Sequence, residues 1–254
     1  MVTVNWITAF LDTAGGRSVE AEVFWLVVTG TRLSAPRGRD HQFATLLPPD
    51  GDAFLRTQAI ESALPGVHVD LHVSDAGETA RHAVSLNAAV VADHGTLVGL
   101  TSPGGLPFCL VSRREEHQRP KPVIWPGGFH SLVDQVGLDI PSRDFAHEAC
   151  FWSSLTGWPR RPGSRPEFEH LQRPSPIPLR ILLQRVSGDG PVHAHLDLAC
   201  DDIAAETARH EALRATVVRH TEAWTTLRDP TERDYCITSR DPRSGHLGPT
   251  TQQP

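Results

Sequence analysis

Histidine and aspartate alternate with apolar residues in two short segments of the chain. Their polar positions are His68, Asp70 and His72 in one segment and His193, His195 and Asp197 in the other. Successive side chains of a β-strand point to opposite faces, so each segment predicts a strand with one apolar face and one His/Asp face. Imidazole and carboxylate groups move protons, bind metal ions or hydrogen-bond a polar ligand. Because an unpaired buried charge is costly, we expect the His/Asp face to line a wet or ligand-filled concavity; the alternative is that it meets solvent.

These two segments belong to an internal duplication of the chain. Phe24-Trp25 recurs as Phe151-Trp152, His68 recurs as His195, and Cys109 recurs as Cys236, each 127 residues later. A constant offset between matching residues over so long a stretch does not arise by chance. The chain therefore contains two copies of one domain.

Each copy divides into two halves with the same order of predicted elements, which is a strand, a helix and three strands. The first helix is predicted over 18–28, with Ser18 as its N-cap and Gly30 ending it in the left-handed conformation. Asp75 is the predicted N-cap of the second helix. The chain thus predicts an α+β fold built from four βαβββ units.

Domain boundaries follow from the repeat and from composition. We expect a first domain at 1–112 (units 1–60 and 66–112), a Pro-rich linker at 113–128, a second domain at 129–239 (units 129–186 and 192–239), and a disordered tail at 240–254. The Phe-Trp pairs are assigned to packing, because at least one ring of each must enter a helix–sheet core.

Composition excludes several classes of function. The 254 residues carry a formal net charge of −6 without a basic stripe, which argues against nucleic acid as a partner. The chain has no long apolar run and no signal-peptide pattern, so we expect no membrane partner and a cytoplasmic protein. The four cysteines form no metal-binding pair spacing, so reduced thiols are expected. A monomer and a homodimer both remain open.

Several motifs together resemble the glyoxalase-like domains of the vicinal oxygen chelate superfamily. They are Leu11-Asp12, Phe24-Trp25, Thr29-Gly30, His195-Leu196-Asp197-Leu198 and Tyr235-Cys236. That superfamily includes glyoxalase I, extradiol dioxygenases, methylmalonyl-CoA epimerase and the bleomycin and fosfomycin resistance proteins. The resemblance implies that paired units form a cup-shaped sheet. It also implies that a bound metal takes ligands from the first and last strand of each unit.

The resemblance also implies a ligand set for each cup. The matching positions are Gln135, Gln184, His195 and Asp234 in the second copy, and Thr8, Gln58, His68 and Pro107 in the first. Proline offers no side-chain donor and threonine is a poor ligand, so the second domain is the candidate site for one divalent ion (Zn, Ni, Mn, Fe or Mg), and a cup without metal is the alternative. There Asp234 is either a ligand or a catalytic base. Without a second histidine such as His193, extradiol ring cleavage is not expected.

Two function classes remain open. One is a small-molecule-binding protein, such as a resistance-type protein that sequesters its ligand. The expected ligand-binding residues are Gln58, His68, Asp70, His72, Gln135, Gln184, His193, His195 and Trp224. The other is a metal-dependent, non-oxidative lyase, isomerase or epimerase that acts through the second domain. For Cys109 and Cys236 we expect a role as small fillers, since no basic residue near them in sequence lowers a thiol pKa.

Overall fold

A computed structural model describes residues 3–61, 65–112 and 118–246 of the chain. The first domain contains β1 (Val4–Ala14), α1 (Ser18–Thr29), β2 (Arg32–Leu33), β3 (Phe43–Leu47), β4 (Leu55–Ile60), β5 (Gly66–Val73), α2 (Ala76–Ser85), β6 (Ala89–Asp93), β7 (Leu97–Thr101) and β8 (Pro107–Ser112). The second contains β9 (Val123–Ile124), β10 (His130–Pro141), α3 (Phe145–Thr156), β11 (Arg160–Pro162), β12 (Phe168–Leu171), β13 (Arg180–Val186), β14 (His193–Cys200), α4 (Ile203–Glu211), β15 (Thr216–His220), β16 (Trp224–Arg228) and β17 (Asp234–Thr238). Each domain therefore holds two βαβββ units, as predicted.

Both domains use the same sheet topology. The strand order is β2-β3-β4-β1-β5-β8-β7-β6 in the first sheet and β11-β12-β13-β10-β14-β17-β16-β15 in the second. In each sheet the leading strands of the two units are antiparallel neighbours at the centre. The two His/Asp strands, β5 and β14, thus lie in the middle of two curved, cup-shaped sheets.

The helix ends follow local backbone chemistry. Gly30 ends α1 with φ of 62°, and the Asp75 side chain accepts the N–H of Glu78 at the start of α2, as predicted. The prediction of Ser18 as N-cap is wrong. A 3-10 turn over Gly15–Arg17 runs directly into α1, so Ser18 is already helical and its hydroxyl donates to the carbonyl of Gly15.

The two domains share one continuous apolar core. Strands β5 and β14 contact each other, so their apolar faces do not pack on helices alone. The α1 rings cross to the second domain, where the centroid of Trp25 lies 5.2 Å from that of Tyr235. The α3 rings cross the other way, and Trp152 lies 5.1 Å from Phe108. Both Phe-Trp pairs are buried, which confirms their packing role and extends it to the domain interface.

A buried carboxylate completes each of these contacts. Asp229, in the β16–β17 loop, accepts the Trp25 indole N–H at 2.9 Å and pairs with Arg233 at 2.8 Å. Arg233 in turn donates to the backbone carbonyl of Asp12 in the first domain. At the other contact Glu148 of α3 accepts the Trp152 indole and the backbone N–H of Gly104. The domains are therefore joined by buried, hydrogen-bonded charge as well as by aromatic packing.

The linker and the tail differ from their predicted character. Residues 123–124 of the linker form β9, which pairs with β10 at the edge of the second domain. A disordered tail was predicted from Arg240, but residues 240–246 lie on the second domain because Arg240 is buried and forms an ion pair with Asp134. Residues 113–117 of the linker and 247–254 of the tail lie outside the described residues. Within the described ranges, no helix has the length and apolar character that crossing a bilayer requires.

Candidate functional site

The cup of the second domain contains a cavity of about 300 Å³ that opens to solvent. Polar, cationic and aromatic side chains line it, among them Gln135, Phe168, Arg180, His195, Trp224 and Arg240. They come from five strands and from the segment that follows β17. A concave pocket with few convergent polar groups on an apolar wall is the usual form of a small-molecule site.

His195 stands between two carboxylates in this cup. Its Nδ1 lies 2.9 Å from Oδ2 of Asp139 on β10, and its Nε2 lies 3.3 Å from Oδ1 of Asp197 on β14. Cys236 pairs with Asp197 in strand register, and its thiol joins His195 and Asp197 in one compact group. Because the central strands adjoin, side chains distant in sequence come together on one face.

Charge rather than burial decides the protonation of this group. Burial lowers the pKa of His195, but the negative charges of Asp139 and Asp197 outweigh it and hold that pKa well above its usual value. Burial raises the pKa of Asp139 and Asp197, yet the positive charge of His195 and the hydrogen bonds to these carboxylates together outweigh burial and lower the pKa of both. For Cys236, burial and the charge of Asp197 raise the thiol pKa. These directions favour an imidazolium at His195 and a thiol at Cys236.

The first domain repeats the same group at the matching positions. Nδ1 of His68 lies 2.6 Å from Asp12, and its Nε2 lies 4.0 Å from Asp70. Cys109 completes the group beside Asp70. Burial raises the pKa of Cys109 to about 12, and the charge of Asp70 adds to the effect. The chemistry-bearing residues are thus duplicated together with the fold.

The cups differ in what lies beside the histidine. In the first domain the ring of Phe10 stacks on His68, with centroids 4.5 Å apart, and Phe43 packs edge-on against Phe10. The strand registers place Gly137 at the position of Phe10. A Cβ at Gly137 would lie 2.5 Å from Nε2 of His195, so the imidazole lies directly over that glycine. In the second cup the imidazole of His195 therefore takes up the space beside Gly137 that the Phe10 side chain takes up in the first.

The predicted second-domain residues fall into two groups. Gln135, Gln184, His195 and Trp224 all line the cavity. His193 is largely exposed and lies 3.1 Å from Asp139, at a neighbouring depression between the domains. Asp234 lines that depression too, but its carboxylate pairs with Arg228 of the adjacent strand at 2.7 Å. The compact donor group contains Cys236 where the resemblance implied Asp234.

The predicted first-domain residues are mostly engaged within the cup. His68 and Asp70 belong to the repeated group, and Nε2 of His72 lies 2.9 Å from the Thr8 hydroxyl. Gln58 is half-buried on β4, opposite Asp12 of β1. Asp70 and His72 are almost fully buried, so the alternative that this face meets bulk solvent is wrong for them.

Sequence reasoning missed three kinds of residue in this site. The two cysteines were assigned to filling space, although their parity already placed them on the cup face. Asp12 was quoted only as part of a motif and Asp139 was not named, and their place beside each histidine follows from strand pairing. Arg180 gave no sequence signal, since the equivalent position of the first copy carries Phe54. Arg240 repeats Arg113 at the offset of 127 residues, but it was assigned to the tail.

The donors of each group suit a divalent metal ion. An imidazole nitrogen, a carboxylate oxygen and a thiol sulfur lie within 4.8 Å of one another in both domains. This donor set is typical of zinc and related ions, and a carboxylate on the other imidazole nitrogen is the usual way to orient such a ligand. In both cups a guanidinium nitrogen also lies 3.9 Å from the aspartate, from Arg56 on Asp70 and from Arg240 on Asp197. That positive charge weakens metal affinity.

Comparison with known families matches both halves of the chain. The model of the family described as Glyoxalase-like domain matches residues 9–111 and 135–238. These ranges contain both cups and both donor groups. No curated protein sequence matches the chain.

Several solved structures share the fold. The Mn(II)-bound glyoxalase from Novosphingobium aromaticivorans is 15% identical with a TM-score of 0.65, covering 94% of this chain and 83% of its own. A variant of 4-hydroxymandelate synthase from Streptomyces coelicolor is 15% identical with a TM-score of 0.58, covering 94% of each chain. A variant of homoprotocatechuate 2,3-dioxygenase from Brevibacterium fuscum is 15% identical with a TM-score of 0.62, covering 94% of this chain and 72% of its own. At such identities the likeness shows the fold alone.

Proposed function

Because the chain belongs to the family of glyoxalase-like domain proteins, with one copy of the domain in each half, we propose that it binds a small organic molecule in the cup of its second domain. The cavity of about 300 Å³ lies at the lower end of the range for small-molecule sites and is large enough for a metabolite-sized ligand. Its wall offers amide, imidazole and guanidinium groups beside two aromatic rings. Sequestration of such a ligand requires no chemistry beyond these contacts.

The contrast between Gly137 and Phe10 carries this proposal. Both positions lie on the leading strand of a domain and next to an equivalent histidine. Phe10 covers His68 with its ring, whereas Gly137 leaves room for His195 to lie against the strand. The second cup has a cavity lined by His195, whereas in the first cup the ring of Phe10 packs on His68.

We expect Gly137→Phe to close the second cup. A Cβ at this position would lie 2.5 Å from Nε2 of His195, so the imidazole must move away from the strand and stack on the new ring, as His68 stacks on Phe10 in the first domain. Wild-type protein screened by thermal shift against a library of neutral, cationic and anionic compounds should show stabilisation that rises with ligand concentration. The variant should bind each hit at least about tenfold more weakly, measured by isothermal titration calorimetry.

The matched control for this experiment is Phe10→Leu, which changes the first cup and should leave the affinity for each hit unchanged. Circular dichroism of both variants checks that the fold is retained. Absence of any hit, or hits that Gly137→Phe binds as tightly as wild type, would contradict ligand binding in the second cup.

The second candidate function is a metal-dependent, non-oxidative lyase or isomerase. The compact group of His195, Asp197 and Cys236 favours it. A divalent ion bound there supplies a Lewis acid that polarises a substrate oxygen. Asp139 holds the imidazole in place, and Arg240 offers positive charge beside Asp197. Open access favours the second cup over the first, where Phe10 covers His68.

Metal titration tests this second candidate at fixed pH. We expect Zn(II) to bind the wild type, His195→Ala to abolish tight binding, and Asp139→Asn to weaken it about 10–100-fold through loss of ligand orientation. His68→Ala is the control for the first domain and should leave the affinity unchanged. Zn(II) binding no tighter than millimolar, or an equal loss in His68→Ala, would contradict a metal site in the second cup.

A further inference from the structure

Arg180 of β13 presents an uncommitted guanidinium to the cavity of the second cup. Its Nε donates to Oε1 of Gln135 at 2.6 Å. Among the described residues, no carboxylate oxygen lies within ion-pair distance of its terminal nitrogens. A guanidinium has five donors in a planar fork, so four of them remain available in a largely desolvated place.

The charges around Arg180 leave a net positive balance. Arg173, Arg180 and Arg240 crowd this end of the cup, and the carboxylates near them are Asp134 and Asp197. Arg240 is buried against Asp134 and also faces Asp197. Burial, and then repulsion from Arg240, lower the pKa of Arg180 to about 10. One cation at the cavity wall is therefore without a matching anion.

The fold itself does not require this arginine. The strand registers align Arg180 with Gln135 on the neighbouring strand, and they place Phe54 at the equivalent position of the first domain. Phe54 is buried in the apolar core. An uncompensated charge at a position where the sister domain has a core phenylalanine is costly to the fold, which points to a ligand.

The wall of the same cavity also carries an apolar section. Phe168 and Trp224 pack edge to face with centroids 5.8 Å apart, and Leu182 lies beside them on β13. Such a section accepts the flat, apolar body of a ligand. The cavity therefore combines a forked cation with an aromatic wall.

We propose that Arg180 binds the carboxylate of a ligand whose flat, apolar body lies against Phe168 and Trp224. This inference rests on the proposed ligand-binding function of the second cup. Hydrogen bonds connect Arg180 through Gln135 to Asp197, which faces His195. The carboxylate thus binds at one end of a row of hydrogen-bonded side chains, and the His/Asp/Cys group lies at the other end. This arrangement orients the ligand in the cup.

Matched pairs of aromatic carboxylates and their amides test the inference, with benzoate and benzamide as the simplest pair. We expect the wild type to bind the carboxylate of a pair at least about tenfold more tightly than the amide, since charge-assisted bidentate contacts are the stronger kind. Arg180→Gln should remove that preference and leave the weak amide affinity unchanged. Arg180→Lys keeps the charge without the fork and should retain part of the preference. Arg143→Gln, an exposed arginine with surface partners, is the control for the charge change.

The outcomes separate this inference from the function on which it rests. Equal affinity for both members of a pair, or an unchanged preference in Arg180→Gln, overturns the carboxylate site. Carboxylate hits that are lost in Gly137→Phe but bind Arg180→Gln as tightly as the wild type leave ligand binding standing and overturn only the role of Arg180. Inorganic phosphate is also tested as a competitor of benzoate. If it competes as strongly as another aromatic carboxylate does, the preference for a flat carboxylate is overturned.

Discussion

Asp229→Ala is expected to lower the free energy of unfolding by about 3–5 kcal/mol, the usual cost of removing one partner from a buried ion pair. Asp229 is 2% exposed and accepts hydrogen bonds from Trp25, Thr231 and Arg233. Its loss leaves the Arg233 guanidinium buried without a counter-charge and the Trp25 indole without an acceptor. Urea unfolding followed by fluorescence measures the change.

Asp234→Ala is the matched control for this variant. It removes an aspartate of the same hairpin that also pairs with an arginine, but its side chain is 45% exposed. Surface ion pairs contribute about 0–1 kcal/mol, so a small change is expected. Similar losses of stability in the two variants would contradict a stabilising role of buried charge at the domain interface. The same Asp234→Ala protein, titrated with Zn(II), also tests the prediction of Asp234 as a ligand.

Trp152→Ala is expected to destabilise the protein by about 3–5 kcal/mol, the range for deleting a buried large aromatic side chain. Trp152 is fully buried, packs on Phe108 of the other domain and donates to Glu148. Because one core spans both domains, unfolding should remain a single cooperative transition with a lowered midpoint.

For Trp224→Ala the opposite result is expected, although the same residue type is removed. Trp224 is half-buried at the cavity and should contribute little to stability, whereas its loss should weaken ligand binding. Two separate unfolding transitions in Trp152→Ala would contradict the shared core. A stability loss in Trp224→Ala as large as that in Trp152→Ala would contradict the assignment of Trp224 to the cavity wall.

Much of the fold could be predicted because short-range patterns specify it. The two-residue alternation of β5 and β14 identified the His/Asp faces, and the repeat at 127 residues identified the second domain. Once the strands were known, their parity placed His68, Asp70, His195 and Cys236 on the cup side. Such patterns need only the geometry of single strands.

The composition of the site could not be predicted in the same way. Asp234 was carried over by position, but its side chain pairs with Arg228 because β16 and β17 form a hairpin that sets these residues opposite each other. Arg180 carries no motif, and its charge matters only beside Arg240 and Asp134, which other segments supply. Arg240 itself was assigned to a disordered tail, because a polar, proline-rich sequence does not show that one of its side chains has a buried partner.

The reciprocal docking of α1 on Tyr235 and of α3 on Phe108 has the form of a two-fold symmetric dimer contained in one polypeptide, since Tyr235 and Phe108 are equivalent positions. In a dimer of identical subunits, every substitution alters both cups at once. Joining the two subunits in a single chain removes that constraint. One half can then evolve toward a cup in which Phe10 packs on His68 and support the assembly, while the other keeps Gly137 and a cup with a cavity. In a single chain the two cups can therefore differ while the two-fold interface between the domains is retained.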